Sequence, residues 1–187
     1  MTEDLKKAAE VLQSGGTILY PSDTIWGIGC DATNAKAVEK IYKIKFRTPQ
    51  KSLIILADSF DMISNYIEEV PELAVELMKT VKDPITIIYR NARNLAKNII
   101  AEDGTIAIRI PRDEFCLQLI QLLGKPLTST SANISGDPSP LSFSKINPKI
   151  KDKVDYICKS NQSNVNTMKP STIISINKDG HIEIIRN

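Results

Sequence analysis

The chain has 187 residues, 42% of them hydrophobic and 25% charged, with a formal net charge of +2 and a sequence pI near 8.3. That is long enough to bury a full core as one domain, residues 1–187, and too mildly basic to announce a dedicated nucleic-acid binder. Cys30, Cys116 and Cys158 are too scattered for a disulfide framework or a zinc knuckle, the amphipathic N-terminus lacks a signal-peptide core, and no run approaches the roughly 18 apolar residues of a membrane span, so a soluble cytoplasmic protein with reduced thiols is expected.

Leu5, Ala8, Ala9 and Leu12 recur at helical spacing, and Gly15–Gly16 stop that helix before the strand-like TILY. In ATNAKAVEKIYKIKFR, Asn34 is a natural N-cap, with Val38, Ile41 and Tyr42 on one face and most lysines on the other. SLIIL reads as a strand, followed by helical segments from Asp61 to Ile67 and from Pro71 to Lys79, where Pro71 suits a first turn. The β-branched runs ITIIY and TIAIRI are strand-like, DEFCLQLIQLLG is a helix closed by Gly124, and PLTST is a strand again. VDYIC, STIISI and HIEII follow as strands, the last two joined by the turn NKDG. Helices that alternate with strands early, and strands that cluster late, predict an α/β domain with a mixed sheet.

The single histidine, His181, falls in the late hairpin and reads as a surface residue, so chemistry built on a histidine base has little to use. Neither of the two common glycine-rich nucleotide loops occurs, nor a G-x-S-x-G elbow. Another device for holding phosphate can be assembled. From Lys36 to Lys51 the chain carries Lys36, Lys40, Lys43, Lys45, Arg47 and Lys51 against the single acid Glu39, and a helix break before Pro49 puts the last cations at a helix end and in its loop. Arg109, inside an apolar strand, needs an anionic partner, either a structural acid or a ligand. In LTSTSAN, Thr128 and Thr130 face one way while Ser129 and Ser131 face the other, so whichever face is open presents a row of hydroxyls.

Taken in order, YPSDTIWGIGCDA, IYKIKFR with KSLIIL, TIAIRIP, GKPLTSTSANISGDPSP, PSTIISI and a terminal IIR resemble the YrdC/TsaC family, the threonylcarbamoyl-AMP synthases, from about Leu5 to Arg186. The resemblance implies a YrdC-like fold: an open twisted mixed sheet flanked by helices, with a large basic concave cavity, in the short single-domain form. It implies a nucleotidyltransferase reaction in which L-threonine, bicarbonate and ATP give threonylcarbamoyl-adenylate and pyrophosphate. The product then serves tRNA t6A37 modification through downstream threonylcarbamoyl transferase machinery. Carried over by motif, Lys45 and Arg47 are the expected catalytic cations, and Thr24, Arg109 and Ser129 the threonine contacts. Arg47, Lys51, Thr105, Ser131, Asn133 and Ser139 would hold nucleotide, with Ser171, Thr172 and Arg186 as late contacts. No dedicated metal ligands are expected, Mg2+ arriving with the ATP, and no membrane partner.

The chain departs from the family pattern in VKDPITIIY, which keeps Pro84 and Thr86 but lacks the usual glycine, and in SNQSNVNTMK, which replaces a glycine-rich loop. Two other functions fit the same residues. One is a YrdC-like protein that binds RNA, weakly and without catalysis, through the basic patch; the other is a carbamoyl-handling relative.

Overall fold

The computed structural model describes residues 2–48, 53–163, 169–177 and 179–187. The predicted Lys51, with Pro49, and the late-loop residues Val165 and Met168 lie outside the described residues. Helix α1 (Glu3–Gln13) starts at Thr2, whose side chain accepts from the Leu5 N–H, and carries Glu3 and Asp4 in its first turn, where the helix dipole favours acids. Strands β1 (Ile18–Tyr20) and β2 (Gly27–Gly29) follow as an antiparallel pair. Helix α2 (Ala35–Lys45) is capped by Asn34 as expected, and ends where Phe46 turns left-handed at φ 50°.

Beyond it come β3 (Ile54–Leu56), α3 (Phe60–Tyr66), α4 (Glu72–Thr80), β4 (Ile85–Tyr89), β5 (Ile106–Arg109), α5 (Glu114–Leu123) and β6 (Leu127–Ser131). The chain closes with α6 (Pro148–Lys151), β7 (Tyr156–Ile157), β8 (Thr172–Ile176) and β9 (Ile182–Arg186). Among the described residues the strands form one mixed sheet in the order β7-β1-β2-β6-β3-β5-β4-β8-β9. The parallel pairs are β1 with β7, β3 with β5 and β4 with β8.

Alternation along the strands sorts the core into two clusters. Leu19, Ile28, Ile55, Ile87, Ile108 and Ile174 pack with α2 on one face. Ile18, Tyr20, Leu56 and Leu127 pack on the other face under α1 and α5, whose Leu5, Leu12, Leu119 and Ile120 are almost fully buried. Trp26 belongs to the first cluster, its ring 5.0 Å from that of Phe143.

Some local expectations shift. Pro71 is the N-cap of α4 rather than a residue of its first turn, and VDYIC contributes only Tyr156 and Ile157 to the sheet. Strand β2 and helix α6 were not predicted. The sequence GIG argues against a strand because glycine has no side chain to pack. It serves here because the Tyr20 ring occupies that space: a Cβ on Gly29 would lie 2.9 Å from the ring and 2.7 Å from the Thr128 carbonyl oxygen.

Candidate active site

The open part of the α1–α5 face becomes a cavity of ≈ 180 Å³. Strand β6 shows how. Leu127 lies under the two helices, but its next two neighbours on the same face, Ser129 and Ser131, lie past their cover and line the cavity. Across the ladder Ser129 stands opposite Ile54 and Ser131 opposite Gly27, both also in the wall. The intervening Thr128 is fully buried on the other face, where its hydroxyl accepts from the Cys30 N–H at 2.8 Å. Thr130 sits at the rim, its hydroxyl accepting from Arg47 Nη1 at 3.5 Å. Ser129 and Ser131 thus face the cavity and Thr128 the other side, as the period requires, while Thr130, on Thr128's side, still reaches the lining beside Arg47.

Guanidinium groups reach the cavity from three directions: Arg109 from the end of β5, Arg47 from the segment after α2, and Arg186 from β9. Arg109 is 3% exposed and ion-paired to Asp23, whose second carboxylate oxygen accepts from the Arg112 N–H at 3.0 Å. Its anionic partner in this structure is thus an acid of the YPSDT segment. Arg186 donates to the Ser171 carbonyl at 2.7 Å, and the Ser171 hydroxyl shares a 2.7 Å hydrogen bond with that of buried Thr86. Burial, and secondly the charge of Arg109, pull the Arg186 pKa below the usual arginine value. Burial lowers that of Arg47 as well.

Thr24 completes the wall with Ser22, the two hydroxyls 3.0 Å apart, while Ser22 also donates to the Ile25 carbonyl at 2.7 Å. Of the residues predicted from sequence, Thr24, Arg47, Arg109, Ser129, Ser131, Ser139, Ser171 and Arg186 meet in this one cavity. Ser22 was missed. The P-S-D-T turn chemistry was its signal, since a serine there folds back on the backbone two or three residues on.

Lys45, Thr105, Asn133 and Thr172 are not in the cavity lining. Thr105 stands at the far end of β5, four positions before Arg109, where its hydroxyl donates to Asp103 at 2.6 Å. Thr172 has its backbone in the sheet opposite Ile85 and its hydroxyl 3.3 Å from the Asn187 side chain; its neighbour Ser171 is the one that faces the cavity. The Asn133 amide donates to the carbonyls of Ile134 at 3.0 Å and Asp137 at 2.6 Å, holding its own turn. Lys45 is 1% exposed, and its ammonium donates to the Ser131 carbonyl, to the Asn133 carbonyl at 2.7 Å and to Asn133 Oδ1 at 3.4 Å.

No group of three or more His, Cys, Asp or Glu among the described residues could hold a metal ion. Asp23, the acid nearest the arginines, already has both oxygens engaged. These residues do not build a magnesium cage.

A mixed α/β sheet opens a hollow of arginines and small hydroxyls, with no histidine and no unpaired acid among the described residues that line it, a chemistry suited to oxygen-rich anions. The chain belongs to the Sua5/YciO/YrdC family, whose model, described as "Telomere recombination", matches residues 10–187. It is 33% identical over 152 residues to the threonylcarbamoyl-AMP synthase of Pseudoalteromonas translucida (strain TAC 125), covering 80% of this chain and 81% of that one. The protein of the same name from Vibrio parahaemolyticus is 30% identical over 174 residues, covering 91% and 93%. The structure of P. abyssi Sua5 complexed with L-threonine superposes with a TM-score of 0.88 at 28% identity, covering all of this chain and 55% of that one. The chain thus spans little more than half the length of the Sua5 protein it matches. No helix among the described residues is long and apolar enough to cross a membrane.

Proposed function

We infer that the chain is a threonylcarbamoyl-AMP synthase, a nucleotidyltransferase that makes threonylcarbamoyl-adenylate and pyrophosphate from L-threonine, bicarbonate and ATP. The observation that carries this reading is the convergence of Thr24, Arg47, Arg109, Ser129, Ser131, Ser139, Ser171 and Arg186, from segments far apart in sequence, on one cavity.

The chemistry asks for such a wall and no more. The threonine amine takes up CO2 derived from bicarbonate to give a carbamate. A carbamate oxygen then attacks the α-phosphorus of ATP while the bond to the bridging oxygen breaks and pyrophosphate departs. No bond to the protein forms, so alignment and fixed positive charge supply the catalysis. Arg109, steadied from behind by Asp23, receives the threonine carboxylate, with the hydroxyls of Thr24 and Ser129 beside it. Arg47 and Arg186 neutralise charge on the phosphates, and Ser131, Ser139 and Ser171 donate to the phosphate and ribose oxygens. Magnesium enters as part of the nucleotide. The adenylate is labile, and downstream transferase machinery in the cytoplasm consumes it at adenosine 37 of tRNA.

The test is pyrophosphate release from ATP with threonine and bicarbonate omitted in turn. Dependence on both supports the synthase. Turnover that needs carbamoyl phosphate instead would assign the chain to the carbamoyl-handling relatives. Salt-sensitive RNA affinity with no turnover would make it a binder.

A further inference from the structure

Lys45 ends α2 and sits beside Arg47 in sequence, yet the two side chains go to different places. Phe46 makes the difference: as a left-handed C-cap it swings the chain so that Arg47 enters the cavity while Lys45 turns to the end of β6. A lysine that is 1% exposed would ordinarily carry a carboxylate partner, because an unpaired buried charge is expensive. Among the described residues no acid forms an ion pair with it. Its partners are uncharged oxygens instead: the Ser131 carbonyl, the Asn133 carbonyl at 2.7 Å and Asn133 Oδ1 at 3.4 Å. Three acceptors surround the one nitrogen, the two backbone carbonyls closest.

The Lys45 backbone joins the same tie, since its carbonyl accepts from the Ser135 N–H at 2.9 Å. These contacts fall on the turn that leaves β6, between the cavity residues Ser131 and Ser139. Its start is anchored where the buried Ala132 donates to the Trp26 carbonyl at 2.9 Å, and Ile134 packs on the core; past Ala132, Asn133, Ile134 and Asp137 bond to one another and Gly136 adopts φ 97°.

We propose that Lys45 is a positioning residue that ties the turn from Ser131 to Ser139 to the end of α2 and so fixes those hydroxyls in the cavity wall, without itself meeting substrate. The proposal rests on the synthase reading for its catalytic consequence but not for its structural one. A lysine that gripped phosphate directly would leave the turn as it is when removed. One that ties the turn loosens it.

The experiment uses Lys45→Met, which keeps the volume of the stem and removes the ammonium, together with Ser131→Ala and the double variant. Amide hydrogen exchange is read without substrate, and pyrophosphate release with it. The tie predicts that K45M exchanges at least tenfold faster across residues 133–139 while β4 and β5 keep their wild-type rates. It also predicts that kcat falls at least tenfold in K45M, and that the double variant is no slower than the slower single one, because both act through the same turn. Unchanged exchange in the turn, or losses that multiply in the double variant, would overturn the proposal.

Should K45M fail to melt cooperatively, Lys45→Gln, which keeps a polar end but is too short to reach both carbonyls, is compared with wild type by the same exchange measurement. Wild-type exchange in the turn of K45Q overturns the tie. Exchange needs no turnover, so a loosened turn in a chain that makes no adenylate would keep this inference and reject the synthase.

Discussion

Replacing Arg109 by methionine probes the cavity wall and the fold at once. The Arg109 side chain is 4% exposed and that of its partner Asp23 is 10% exposed. Removing one member of a buried ion pair strands the other charge, at a cost of about 3–5 kcal/mol. Asp23 would keep the 3.0 Å bond from the Arg112 N–H, which argues for the lower end. About 3 kcal/mol, at ~2–4 °C per kcal/mol for a chain of this size, puts the melting temperature of R109M ~6–12 °C below wild type. R109M with D23N leaves no stranded carboxylate and recovers about half of that loss. Pyrophosphate release, measured well below the lower melting temperature, falls at least tenfold in both variants, equivalent to about 1.4 kcal/mol of transition-state stabilisation. An R109M protein that melts within ~2 °C of wild type would refute the energetic argument, and one that keeps full turnover would remove Arg109 from the site.

Three further outcomes follow from the same coordinates. Burial first, and the Arg47 charge second, bring the Lys45 pKa from 10.5 down to about 7. Between those values the unfolded chain binds more protons than the folded one, so stability should rise with pH; melts from about pH 6.5 to pH 9.5 will show a steeper rise in wild type than in K45M. Gly29→Ala puts a Cβ 2.7 Å from the Thr128 carbonyl oxygen and should destabilise by about 1–3 kcal/mol in denaturant titrations. Thr86→Val removes the 2.7 Å partner of the Ser171 hydroxyl, costs about 1 kcal/mol, and should raise the KM for ATP more than it lowers kcat if Ser171 and Arg186 bind nucleotide.

The division of β6 was legible because a strand has period two: Ser129 and Ser131 had to share a face, and the apolar Leu127 before them marked where helical cover ends. The caps at Asn34 and Gly124 were legible because capping chemistry is local; the Thr2 cap of α1 was not read from the sequence. What escaped was set by contacts distant in sequence. Asp23 reaches Arg109 across 86 positions, and nothing near either residue announces the pair. Lys45 read as a phosphate cation because it keeps company with Arg47, yet the single left-handed residue between them sends it elsewhere. Thr105 lies just before β5 while Arg109 closes it, a separation that motif spacing alone does not convey.

The arginines explain why the site can do without a histidine or a nucleophile. Arg186 lies within the field of Arg109, whose own carboxylate partner is Asp23. Holding such like charges together is unfavourable, and the fold enforces it: Arg109 ends β5, a central strand packed through Ile108 between Ile55 of β3 and Ile87 of β4, while the Ser171 carbonyl holds Arg186. In the synthase reading, an arriving triphosphate relieves that repulsion. As negative charge shifts toward the departing pyrophosphate, the same groups need not move to follow it, so the reorganisation that water would have to undergo has already been completed by folding.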